Sequence, residues 1–383
     1  MPLFMELQMS GTMKRLLSVA AVGILTTQPL FAVDLWGLQP QSIKLESAGP
    51  LAFGPTGILF VGDPKSATLY AIDSKDAIGT VASTASSWST TDIEDLRVNI
   101  ASAAGSNINA ESVEVVDLAV DPESGDAIVS ATAKATPVLC SVSKSGEVKV
   151  ISLDKVLASK ITLPDPPADK VTGEGRRASN KRMESITDLA FAEGRVLASG
   201  LSGSDNASTV LAFDFPFRET SVGTDLQIYH GAHGRVEDTA AVRSFVPMMI
   251  DGKPSVLAGF TCTPLVQFSL EDLQSGAKAK GKTVAELGNW NKPLDMISYE
   301  KNGHPYVLVA NTARGLMKVD VANVATQEPI TDRVPDGGTK GLPFEKIESL
   351  PGVTQLAKID DSHALIVSEL PSKQLRLTAI ELP

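Results

Sequence analysis

His230 and His233 stand three residues apart in "DLQIYHGAHGRVED" (225–238), with Glu237 and Asp238 just beyond them. Imidazole and carboxylate are donor types that zinc and other divalent cations take. His230, His233 and Glu237, joined by Asp188, therefore form a candidate metal set, with Ca or Zn as the ion. No other cofactor is required. The same residues read equally as a polar link whose imidazoles hydrogen-bond to backbone. The choice depends on where the fold puts them.

A second set recurs along the chain. Asp117, Asp188 and Asp295 open the similar segments "DLAVDPESG", "DLAFAEG" and "DMISYEKNG", and Glu111 and Glu184 precede two of them in "ES" dipeptides. An Asp at a strand start often satisfies turn amides. Three carboxylates converging on one axis would repel one another unless a cation or basic group compensates. Trp290 and Asn291 in "NWNKP", with Asn311 and Arg314, complete the candidate ligand-binding residues. The chain carries no G-x-S-x-G elbow, P-loop, H-E-x-x-H, haem C-x-x-C-H or EF-hand loop.

The elements that would position these residues repeat. "GILFVGD", "DAIVSAT", "RVLASGL", "SVLAGFT", "YVLVANT" and "ALIVSEL" each run apolar and end on a small residue: Gly62, Ser130, Ser199, Gly259, Ala310 and Ser368. Before each lies a strand-like partner across a Gly/Asp/Asn turn, and after each a third strand. "EVKVISL", "DLQIYH" and "KTVAEL" are the clearest fourth strands. Six antiparallel units at 50- to 70-residue spacing bury their faces only by radial stacking, the signature of an all-β propeller with six blades, or seven as the alternative. "DLAFAEGRVLASG" (188–200) resembles the strand–turn–strand core of NHL- and SMP-30-type propellers. That resemblance extends over residues 42–382 and implies architecture; the SMP-30 likeness would also imply one divalent cation at the channel mouth, although no Glu, Asn and Asp ligand motif of that family is matched here.

"SIKLES" (42–47) has no blade of its own and is expected to close the ring as the outer strand of the sixth. Insertions fall at 85–112, with Thr91 the expected cap of a helix around Ile93, Leu96 and Ile100, and at 160–182. In a propeller the innermost strand runs from top to bottom. His230, His233, the three aspartates, Trp290, Asn291, Cys262, Asn311, Arg314 and the basic link Arg176, Arg177, Lys181 and Arg182 then fall on top, and His304 and His363 below. Cys140 and Cys262, in blades two and four, are not expected to pair.

The chain has 383 residues, 43% apolar and 21% charged, with net charge −11. That balance opposes general nucleic-acid binding. Residues 1–32 read as a signal peptide, with Lys14-Arg15, the apolar run 16–25 and a small residue at Ala32; residues 33–383 form one domain. No later segment reads as a membrane span. The expectation is a monomeric periplasmic or secreted propeller whose top face captures a protein, peptide or small molecule. The alternative is a metal-dependent hydrolase or lactonase.

Overall fold

The computed structural model describes residues 36–383 apart from 80–86, 89–91, 176–177, 204, 219–222, 274–275 and 277. The predicted signal peptide, Thr91, Arg176 and Arg177 lie outside the described residues. No described helix is long and apolar enough to cross a membrane.

Short hairpins build the sheets. Glu193-Gly194, Asp251-Gly252 and Asn302-Gly303 all carry positive φ and join first to second strands as two-residue loops, in the mirror-image turns that match strand twist. Six antiparallel blades result. Blade 3 is continuous in sequence: Asp188–Ala192, Arg195–Leu201, Ser208–Asp214 and Thr224–His230. Blade 4 runs Val242–Ile250, Lys253–Phe260, Pro264–Ser269 and Lys282–Leu287, and blade 5 runs Pro293–Lys301, His304–Asn311, Gly315–Asp320 and Phe344–Lys346. Blade 2 runs Val113–Val120, Ala127–Ala133, Thr136–Val142 and Val148–Val150.

Blades 1 and 6 borrow their outer strands. Blade 1 has Leu51–Phe53, Ile58–Asp63 and Thr68–Asp73, and its fourth strand is Val156–Thr162, after blade 2 in sequence. Blade 6 has Val353–Lys358, His363–Glu369 and Leu375–Glu381, and its fourth strand is Asp92–Ile93. The expected closure by "SIKLES" is therefore corrected. Its backbone leaves the sheet after Gln41, Ile43 donates its N–H to the Leu153 carbonyl at 2.9 Å, and Ile43 and Leu45 pack between blades 1 and 2. The first insertion is corrected likewise, since it supplies the outer strand of blade 6; the second holds only the end of Val156–Thr162, followed by a separate hairpin, Val171–Thr172 with Ser179–Asn180. The helix of the first is Leu96–Ala104, capped by Asp95, whose carboxylate accepts the Arg97 N–H.

Six apolar clusters mark the six seams. One joins blade 2 to blade 1, and others join 1 to 3, 3 to 4, 4 to 5, 5 to 6 and 6 back to 2. The ring order is thus 2-1-3-4-5-6, with the first two blades exchanged relative to the chain. The recurring small residues let the neighbouring segments close in. A Cβ on Gly62 would meet Ile186 of the blade 3 link at 3.0 Å, and one on Gly259 would meet Pro293 of blade 5 at the same distance.

Candidate functional site at the channel mouth

Where the innermost strands begin, a cavity of about 440 Å³ opens on the axis. Asp117, Asp188 and Asp295 all line it, so the sequence-level grouping of these three holds in space. Each uses its two oxygens differently. One accepts the N–H of its own next residue: Leu118 at 2.8 Å, Leu189 at 2.7 Å and Met296 at 2.7 Å. The other crosses a seam. Asp117 takes the Leu51 N–H of blade 1, Asp188 the Phe245 N–H of blade 4 and Asp295 the Leu356 N–H of blade 6, at 2.6, 2.7 and 2.6 Å. In ring order these staples close alternate seams, giving the axis a threefold character that the six blades alone would not have. At another seam, Gln355 of blade 6 donates to the Val116 carbonyl of blade 2 at 3.0 Å.

Burial dominates the charge state of the trio. It pushes Asp117 up to about 8 and Asp188 up to about 7, and holds Asp295 well above the ordinary carboxyl value. Repulsion adds to it: Asp188 acts on Asp117, and both act on Asp295. The amide hydrogen bonds favour the ionised form but do not overcome these effects. Burial and mutual repulsion thus make all three carboxyls harder to ionise than an exposed carboxylate.

Basic groups reach the same cavity. Arg243, from the first strand of blade 4, and Lys292, just before blade 5, line it with Glu114 and Gln355. Arg243 is held by Glu184 at 2.8 Å and by the Thr261 hydroxyl at 2.9 Å. Sequence reading named Glu184 but missed Arg243, Lys292, Glu114 and Gln355. Arg243, Asp188 and Asp295 all lie at or next to the starts of innermost strands, and comparing those starts between repeats was the signal that could have found it.

The remaining ligand-binding candidates sit elsewhere. Trp290 is 87% exposed, whereas Asn291 and Asn311 are buried and joined by a 3.0 Å side-chain hydrogen bond. Asn311 also accepts the Ala313 and Arg314 N–H groups, so these asparagines fasten the turns between blades 4 and 5. The Arg314 guanidinium packs against Gly288, where a Cβ would meet it at 2.2 Å. None of the four lines the axial cavity.

The opening histidines do come together. His230 ends the outer strand of blade 3, and a tight turn returns His233 beside it, with ring centroids 3.9 Å apart. Glu237 accepts from both Nδ1 atoms, at 2.7 and 2.8 Å, and from Arg235 at 2.8 Å. Buried Glu286 of blade 4 accepts the Gly231 N–H beneath the turn; burial raises its carboxyl to about 7. The fourth predicted ligand is corrected. Asp188 is committed to the axis, and the residue that joins the two imidazoles is Cys262, from the upper turn of blade 4. His304 and His363 begin second strands at the opposite edge, paired with Asp320 and Asp360 at 2.9 and 3.0 Å.

No protein-family model matches the chain, and no curated protein matches its sequence. Among solved structures, the PQQ-bound aldose sugar dehydrogenase from Streptomyces coelicolor is similar over 90% of this chain and 97% of its own, at 12% identity and a TM-score of 0.34. The plexin A4 extracellular region is similar over 90% of this chain and 40% of its own, at 9% identity and a TM-score of 0.43. Chaetomium thermophilum Raptor is similar over 91% and 29%, at 14% identity and a TM-score of 0.37. Such distant likenesses carry no activity across; the blade assignment rests on this chain's own strand pairing, and this chain is a six-bladed β-propeller.

Proposed function

We propose that the protein is a binding module that captures a small polar molecule at the upper mouth of its channel. The observation that carries this reading is the axial cavity itself, whose lining combines the three carboxyls with Arg243 and Lys292. Its volume of about 440 Å³ suits a small molecule better than a folded partner. Donors and acceptors of both kinds meet there, so a hydroxylated ligand with an anionic group is favoured. On the export reading, the ligand would be met in the periplasm or outside the cell.

The alternative, a hydrolase with one divalent cation at the channel mouth, is less well supported. The three aspartates spend their oxygens on backbone amides. Among the described residues, no carboxylate trio there brings its donor atoms within 4.8 Å of one another.

Thermal unfolding in the presence of sugars, hydroxy acids and amino acids tests the proposal. A ligand at 100 times its Kd should stabilise the parent by about 2.7 kcal/mol. The same ligand should have little effect on Arg243→Ala. Equal stabilisation of both proteins would place the ligand elsewhere and overturn the assignment.

A further inference from the structure

Glu237 binds the Nδ1 atoms of His230 and His233 together. A carboxylate so placed fixes both rings as Nδ1–H tautomers and leaves the lone pairs on Nε2. Nε2 of His230 is buried, in a residue only 1% exposed, and no protein group satisfies it. A bare buried acceptor is costly, so the site is incomplete as protein alone.

Cys262 is presented to the imidazoles by an unusual turn. Its φ is +65° and that of Thr263 is +50°, in the left-handed region that non-glycine residues seldom occupy. Its N–H is tied to the Asn291 carbonyl at 2.8 Å, and the Thr263 N–H to the Phe260 carbonyl at 2.9 Å. One donor atom from each of His230, His233 and Cys262 then lies within 4.8 Å of the others. Around a tetrahedral zinc, with Zn–N of about 2.0 Å and Zn–S of about 2.3 Å, ligand atoms stand roughly 3.3–3.6 Å apart. The three donor atoms thus stand no more than about 1.5 Å wider than a bound zinc would hold them.

We propose that His230, His233 and Cys262 form a zinc site with three protein ligands and a fourth position open to solvent. Two imidazoles and a thiolate suit zinc and are poor ligands for calcium or magnesium. His233 is exposed and Cys262 half-buried, so the open position faces water. Glu237 is a positioning residue that orients both rings. On binding, the Cys262 S–H bond breaks, a metal–sulfur bond forms, the proton goes to solvent and the metal stays divalent. The site stands apart from the axial cavity, and the two proposals fail independently, because one is read with metal alone and the other with metal-free protein.

The test titrates cobalt(II) into the metal-free full chain and follows absorption. One equivalent should bind, with a thiolate-to-cobalt charge-transfer band in the near ultraviolet, and one equivalent of zinc should displace it. Cys262→Ser should lose the band. His233→Ala, at an exposed position, should fold as the parent and bind zinc at least about tenfold more weakly, and Glu237→Gln about 10- to 100-fold more weakly. His304→Ala should match the parent. A spectrum and affinity unchanged in both Cys262→Ser and His233→Ala would overturn the proposal, as would failure of the parent to bind cobalt or zinc in stoichiometric amount.

Discussion

The Asp117 carboxylate accepts the Leu51 backbone N–H at 2.6 Å across the seam between two blades whose order in the ring is reversed in the chain. Asp188 and Asp295 repeat the contact on alternate seams. These carboxyls therefore hold the ring together at its axis as well as lining the cavity.

Replacing Asp117 by Ala should leave the Leu51 and Leu118 amides without their acceptor. The loss should be about 1–3 kcal/mol for each amide left buried and unpaired. Urea unfolding should show a lower midpoint with an unchanged slope. Lys44→Ala, on the exposed face of "SIKLES", should stay within about 0.5 kcal/mol. If Asp117→Ala unfolds at the parent midpoint, the staple has no energetic role.

The trio should invert the usual acid dependence of a carboxylate. Asp117 and Asp188 have folded values of about 8 and about 7, above the ordinary 3.8. The folded state thus binds more protons than the unfolded state between these limits, and stability falls as pH rises through this window. The charged groups facing the trio in the cavity are Glu114, Arg243 and Lys292, with Glu184 behind Arg243. Asp92, Asp320 and Asp360 act oppositely. Their lowered values give stability above the ordinary carboxyl range that is lost as pH falls through their folded values. Unfolding midpoints should therefore peak near pH 5 and decline toward pH 8. Asp188→Asn should flatten part of that decline; an identical slope in the variant would remove the trio from the explanation.

The blade 6 clasp gives a third expectation. Ile93 is buried against Leu377, while Asp92 forms a two-pronged ion pair with half-exposed Arg376. Ile93→Ala should cost about 2–5 kcal/mol. Arg376→Ala should cost no more than about 1 kcal/mol, since solvent screens the pair. Calorimetry ranking the arginine change as the larger would refute the apolar clasp.

Cys140 and Cys262 are free and lie on opposite blades of the ring. Burial pushes the Cys140 thiol up to about 12, so it should resist alkylation until the protein unfolds. Cys262, half-buried in a turn, should label in the native metal-free state. A disulfide-linked peptide in a non-reducing mass map would contradict the ring order.

Blade count and the identity of most strands were legible because two-residue turns such as Asp251-Gly252 and Asn302-Gly303 announce themselves locally. Top and bottom followed, and with them the separation of His230 and His233 from His304 and His363. The exchange of blades 1 and 2 was not legible. Asp92–Ile93 is too short to show a period, and Val156–Thr162 reads as the edge of a Pro-rich link. Cys262 joined the histidines for a reason no spacing expresses: it lies across a seam on the next blade, in a left-handed turn. The aspartates were legible as a set; Arg243 was legible only by aligning the starts of the innermost strands, and Lys292, in the link before blade 5, has no such counterpart.

The exchanged blades also set a timetable. As the chain emerges from the ribosome, the first three strands of blade 1 are complete at Asp73, yet the strand that covers their edge is Val156–Thr162. Asp92–Ile93 waits longer, since its partner Leu375–Glu381 comes almost last. A nascent chain therefore carries an uncovered blade 1 edge until Val156–Thr162 is made, and an unpaired latch through most of its synthesis. Pairings of such long sequence separation form slowly, and bare edges meanwhile invite association with other chains. Escort by a factor that shields strand edges would matter most on either side of blade 2, and least for blade 3, whose four strands follow one another directly.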